Sequence, residues 1–125
     1  WMELRADEDF SPLPVWPGPQ AGWFGASERA AFFAREWTVS RQCDRSGYRL
    51  DGAPLVVPER EMISEPQPVG TVQIARDGRP IVILPDGPAV GGYPKIGILD
   101  PAALPRLVQL APGERVRFRP AGESP

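Results

Sequence analysis

Arg45 and Arg49, four residues apart, are the leading candidates for binding chemistry in the chain. A guanidinium fork holds a carboxylate through two parallel hydrogen bonds, so these positions suit an anionic ligand. Asp44, Asp51 or a backbone carbonyl are the competing partners, and they would only fix the loop. Gln73 stands in the alternating run Thr71-Val72-Gln73-Ile74 and faces opposite to Val72 and Ile74. With those two in the wall of the fold, its amide points into a ligand-binding mouth; otherwise it is a surface glutamine. Gly91-Gly92-Tyr93-Pro94-Lys95 reads as a loop beside Asp86. Its glycines allow close backbone approach, Lys95 can neutralise a phosphate and Tyr93 can stack, although no P-loop Gly-Lys-Ser/Thr pattern is present. The alternative is a tight turn with a solvated lysine. Cys43, with Arg41 and Arg45 nearby to lower its pKa, has no histidine to activate it and reads as structural.

Absences narrow the chemistry further. The chain has no His, which excludes a Ser-His-Asp triad, a Cys-His pair and His-ligated metals. One Cys leaves neither an intramolecular disulfide nor a thiolate cluster, and it points to a reducing compartment, the cytoplasm. A net charge of -2 and a pI near 5.2 argue against nucleic acid or an anionic membrane as partner. No apolar run reaches the roughly 20 residues of a membrane span.

These residues need elements to position them. The 125 residues suit one domain. Seventeen Pro and 13 Gly disfavour a helical bundle and fit short strands joined by turns. Residues 1–22 form a Pro-rich connector with an edge strand near Leu13–Trp16, residues 23–119 a barrel domain, and residues 120–125 a tail. The opening Trp1-Met2-Glu3 suggests a fragment of a longer protein. A short helix capped by Ser27 carries Phe32 and Phe33, and Trp37–Ser40 is a strand. Asp44–Gly52 is a loop and strand, and Leu55–Val57 a short apolar run. Asp77-Gly78 between Thr71–Ile74 and Ile81–Leu84 signals a hairpin with a type I′ turn, its second strand buried on both faces. Lys95–Leu99 is a strand. Asp100 and Pro101 open a short helix that Pro105 interrupts. Pro112-Gly113 signals a type II turn before a strand over Arg115–Phe118. Many short strands with two short helices predict a mainly β fold, a closed barrel with a β-sandwich as the alternative. Trp16, Trp23 and Trp37 are expected in the core or an interface.

Four collinear segments carry a resemblance. They are Ser40-x-x-x-Asp44-Arg45-x-Gly47-Tyr48-Arg49-Leu50; Gly70–Ile74 with Asp77-Gly78-x-Pro80-Ile81; Gly91-Gly92-Tyr93-Pro94-Lys95-Ile96; and Leu104-Pro105-Arg106-Leu107-x-Gln109-Leu110-x-Pro112-Gly113. Together they resemble the C-terminal part of the allophanate hydrolase subunit 2 family. That family includes the C subunit of the ATP-dependent 5-oxoprolinase and the Kip A antagonist, and a related module sits in the carboxyltransferase part of urea amidolyase. The resemblance implies a cyclophilin-like β-barrel. It implies a component of a 5-oxoprolinase complex that uses ATP to open a lactam, with ATP bound at the level of the complex and a family subunit 1-like protein as partner. Arg45, Arg49, Gln73, Asp86, Tyr93 and Lys95 are then the substrate-binding candidates. A regulatory protein-binding module, or an allophanate- or urea-processing carboxyltransferase-like subunit, is the alternative. Two segments depart from the family pattern. Ser64-Glu65 is followed by Pro66, Gln67 and Pro68 in place of Gly, and Asp86–Val90 lacks the family's Asp-Arg-Gln-Thr.

Overall fold

The computed structural model describes residues 11–122. Ten strands follow in chain order: β1 Leu13–Pro17, β2 Trp37–Val39, β3 Gly47–Asp51, β4 Glu65–Pro66, β5 Thr71–Ile74, β6 Pro80–Ile83, β7 Val90–Gly91, β8 Lys95–Leu99, β9 Arg115–Val116 and β10 Phe118–Pro120. Two short helices, α1 Ala26–Ala34 and α2 Leu104–Leu107, accompany them. Eight strands form one sheet in the order β10-β1-β8-β5-β6-β3-β2-β9, and β4 with β7 forms a separate ribbon. The edge strands β9 and β10 are separated in sequence only by Arg117. The sheet therefore curls into a nearly closed barrel whose edges are joined through one residue. The β-sandwich alternative is not formed.

Leu13–Pro17 is neither a connector nor an edge strand. It pairs antiparallel with β8 and parallel with β10, and its Pro14 and Pro17 sit where the neighbouring residues supply the ladder. Alternation explains the placement: Leu13 and Val15 are buried, whereas Trp16 is exposed. Ala121 N–H still bonds the Val15 carbonyl, so the sheet reaches into the expected tail, of which residues 123–125 lie outside the described part.

The core fills the barrel. Val72, Ile74, Val82, Leu50, Val15 and Leu99 point inward. Phe32 of α1 stacks on Phe118 at 5.1 Å between ring centroids, and Trp37 donates its indole N–H to the Phe32 carbonyl. Of the three tryptophans, Trp37 is core, Trp16 is exposed, and Trp23 lies under the Arg60 guanidinium. Helix α1 starts at Ala26 with Gly25 at its N-cap and no side-chain cap. Ser27 falls inside the first turn, because Glu28 and Arg29 N–H groups already bond the Gly25 carbonyl.

The β5–β6 hairpin forms, with a different turn. Gly78 N–H bonds the Ala75 carbonyl, Ala75 N–H bonds the Arg79 carbonyl, and only Gly78 has positive φ, at 81°. This is a three-residue loop with a left-handed glycine rather than a type I′ turn, which would need Asp77 at positive φ as well. Leu55–Val57 is not a strand. Leu55 instead buries its side chain and bonds the Gly78 carbonyl from the loop that crosses the turn. The Pro112-Gly113 turn closes as expected, with Gly113 at φ 92°.

Candidate functional site

Strand register builds the site. Arg49 pairs with Ile81, Ile81 with Gln73, and Gln73 with Lys95. Directly opposed residues share a face of the sheet, so Arg49, Ile81, Gln73 and Lys95 form one row across four strands. Val72, Ile74 and Val82 occupy the core face. The row therefore lies on the outer face of the barrel, and Gln73 does not point into the barrel's interior. Nor is it a surface residue: its side chain is 7% exposed.

Lys95, the chain's only lysine, is 1% exposed. Its Nζ donates to the Gly91 carbonyl at 3.0 Å and the Tyr93 carbonyl at 3.2 Å, and lies 3.6 Å from Glu65 Oε1. Gln20 ties the cluster together. Its Nε2 donates to Glu65 Oε1 at 2.8 Å, while its Oε1 accepts the Lys95 backbone N–H at 3.0 Å. Burial pushes the Lys95 ammonium below the ordinary lysine range, and Glu65 opposes that shift. The ribbon of β4 and β7 supplies Glu65 and the Gly91 carbonyl. Next to it, buried Gln67 donates to the Pro88 and Val90 carbonyls at 2.9 and 3.3 Å. Two buried acceptors are left without a partner among the described residues, Gln67 Oε1 and Gln73 Oε1. An unsatisfied buried carbonyl costs roughly 1–3 kcal/mol, so it marks a place where a donor belongs.

The remaining candidates disperse. Arg49 is exposed at the far end of the row. Arg45 is exposed in the preceding loop. Neither guanidinium takes the expected local partner. Asp44 accepts from the N–H groups of Ser46 and Gly47 and the Ser46 hydroxyl, which with the Arg49 charge hold its carboxyl below the usual range, while Asp51 faces Arg79. Asp86 is exposed in the turn that Gly87 N–H closes on the Leu84 carbonyl, away from the Lys95 contacts. Tyr93 lends its carbonyl to Lys95 and lines a groove of about 540 Å³ together with Glu59, Arg60, Glu61, Met62 and Arg76. That volume suits a small molecule. Two carbonyl oxygens and the Glu65 carboxylate, not a solvated surface, surround Lys95 Nζ. Cys43 Sγ donates to the Arg49 carbonyl and accepts its N–H. Burial pushes the thiol up, contrary to the lowering expected from Arg41 and Arg45.

Residues 2–120 match the model of the carboxyltransferase domain, subdomain A and B. The chain belongs to this carboxyltransferase-domain family. It is 36% identical over 103 residues to the C subunit of Escherichia coli K12 5-oxoprolinase, covering 82% of this chain and 33% of that protein. It is 31% identical over 122 residues to the C subunit of Haemophilus influenzae 5-oxoprolinase, covering 92% of this chain and 40% of that one. The chain thus spans a third to two fifths of these relatives. The Kluyveromyces lactis urea carboxylase superposes with a TM-score of 0.78 at 26% identity, over 87% of this chain and 11% of that one.

Within this carboxyltransferase-family domain, Gln20, Glu65 and Gln67 join the Lys95 cluster and its ribbon, although the sequence offers none of them as a binding candidate. Gln20 lies in a Pro-rich stretch without periodicity. Pro66 and Pro68 around Gln67 suggest only a loop, yet Gln67 N–H pairs with the Ala89 carbonyl beyond the ribbon. The one signal in the sequence is an amide or carboxylate at each proline-flanked position. Among the described residues no group of three His, Cys, Asp or Glu side chains is placed to hold a metal, and no helix is long and apolar enough to cross a membrane.

Proposed function

We propose that this chain is the substrate-binding part of a 5-oxoprolinase-type subunit, acting in a cytoplasmic complex with a subunit 1-like partner to open a lactam at the expense of ATP. The observation that carries the reading is the unpaired, buried Gln73 carbonyl beside Lys95, in a chain with two relatives that are named as the C subunit of 5-oxoprolinase. A lactam offers an N–H donor, the group that Gln73 Oε1 lacks. Arg49, two strands away in the same row, offers a fork to a ring carboxylate. Lys95, held by Glu65 and two carbonyls, keeps a positive charge behind the amide without being spent on the ligand. An unactivated lactam is a poor electrophile; phosphorylation of its carbonyl oxygen in the complex supplies the leaving group. The residues of this chain bind and orient.

The likeness to urea carboxylase favours a second reading, a carboxyltransferase-like subunit acting on urea or allophanate. A urea also presents N–H groups to an amide carbonyl, so the substrate must be discriminated by assay. The test is 5-oxoproline-dependent ATP hydrolysis by the full-length subunit mixed with its neighbouring family subunits, with urea and allophanate as controls. Hydrolysis that requires the subunit and prefers 5-oxoproline, and that falls at least about tenfold in kcat/KM with Arg49→Ala, is the expected result. A stable complex without turnover on any of the three would reject the enzyme reading in favour of a regulatory binding module.

A further inference from the structure

Past Arg49 the outer face opens into a groove of about 410 Å³, lined by Thr38, Ser40, Arg41, Gln42, Asp51 and Arg79. It runs into a hollow of about 40 Å³ that shares Ser40, Gln42, Asp51 and Arg79 and adds Arg49 and Asp77. Extending the β3–β6 register two residues beyond Arg49 and Ile81 sets Asp51 opposite Arg79. Arg49 and Arg79 are then diagonal neighbours on one face, close enough for long side chains to reach the same ligand.

Across the two spaces three guanidiniums, Arg41, Arg49 and Arg79, meet two carboxylates, Asp51 and Asp77. Arg79 lies 3.8 Å from Asp51, too far for a hydrogen bond, so its donors remain available. Asp77 turns its Oδ1 to the Arg79 backbone N–H at 3.0 Å. Asp44, the other nearby carboxylate, is turned into its own loop. Arg41 and Arg49 make no side-chain hydrogen bond or ion pair among the described residues. Arg41 and Arg79 line the larger groove with Asp51 as its one carboxylate, while Arg49 and Arg79 line the smaller hollow with Asp51 and Asp77, so Arg79 is common to both spaces. The surplus positive charge favours a further anion there.

We propose that this groove is an oxyanion-binding site, which takes the carboxylate or phosphate of a small ligand between Arg49 and Arg79, with Arg41 closing its outer end. Two planar forks around one anion give a bidentate grip that a single arginine does not. The inference takes Arg49 from the lactam-opening reading and adds Arg41 and Arg79, neither of them a binding candidate in the sequence. Binding by the chain alone can fail while turnover in the complex holds, and the reverse, so the two are tested apart.

The experiment titrates the 125-residue chain with inorganic phosphate and, separately, with glutarate at low ionic strength, following backbone amide shifts. Saturable shifts confined to residues 38–42, 49–51 and 75–81 are expected. Arg79→Gln and Arg41→Gln should each weaken binding at least about tenfold. Arg79→Lys, which keeps the charge but loses the fork, should fall between, and it covers the case that Arg79→Gln fails to fold. Arg106→Gln, whose guanidinium bonds the Ser11 carbonyl, should bind like the parent. Saturation by phosphate alone assigns a phosphorylated ligand, by glutarate alone a carboxylate, and by both the shared chemistry. No saturable binding of either, or unchanged affinity in Arg79→Gln and Arg79→Lys, overturns the site.

Discussion

Gln73 is costly where it stands. Its carbonyl is buried without a partner among the described residues, so an apolar side chain of similar size removes a penalty instead of a bond. Gln73→Leu should leave the melting temperature unchanged or raise it, while lowering kcat/KM in the complex at least about tenfold. A fall in stability of more than about 1 kcal/mol would mean that the amide is structural. Lys95 gives a pH signature. Burial lowers its native pKa below the ordinary 10.5. Between the native and ordinary values the unfolded chain holds a proton that the native chain has released, so stability rises with pH across that window and levels off above 10.5. Cys43 and Tyr48 are both pushed up by burial and act in the opposite sense. The readout is therefore the difference in denaturant midpoint between the parent and Lys95→Met. That difference should move in the parent's favour as pH rises toward 10.5, and a flat difference would contradict the buried, depressed lysine.

At the scale of elements, the β4–β7 ribbon is two residues long on each strand and cannot hold itself on the barrel. Side chains hold it: Glu65 through Lys95 and Gln20, and Gln67 through the carbonyls of Pro88 and Val90. Gly91 lets Gln67 lie against the backbone, since a Cβ at Gly91 would come within 2.3 Å of Gln67 Oε1. Gln67 is buried and bonded, so it has nowhere cheap to go. Gly91→Ala should speed amide exchange over residues 65–69 and 88–93 and cost about 1–3 kcal/mol, while exchange in β5 and β6 stays slow. Unchanged exchange in the ribbon would show that Gln67 is not its latch.

For the whole molecule, closure depends on β9 and β10 leaving Arg117 toward opposite edges of one sheet. Phe118 anchors the second of these departures, 2% exposed and stacked on Phe32. Phe118→Ala should cost about 3–5 kcal/mol in urea denaturation, because it empties the junction between α1 and the closing strand. Val108→Ala, at an exposed position, should cost less than about 0.5 kcal/mol. Similar losses at both would mean that the barrel does not close through Phe118.

The amino-acid order by itself determined the local pieces: the alternation in Thr71–Ile74, the apolar run in β6, the glycine turns at Gly78 and Gly113, and the Pro-limited helices. It also carried the family, through four spaced segments, and with it the barrel. These features are set by backbone sterics and by residues close in sequence. Only the tertiary structure decided which face each strand buries. That choice put Gln73 on the outer face of the barrel, in one row with Lys95, and brought Lys95 together with Glu65 and Gln20, 30 and 75 residues away in the chain. It also made Leu13–Pro17 an interior strand, since a Pro-rich segment shows its ladder only when β8 and β10 are there to pair with it. Burial of a lone lysine and the diagonal placement of Arg49 and Arg79 are properties of register between distant strands, which no local pattern encodes.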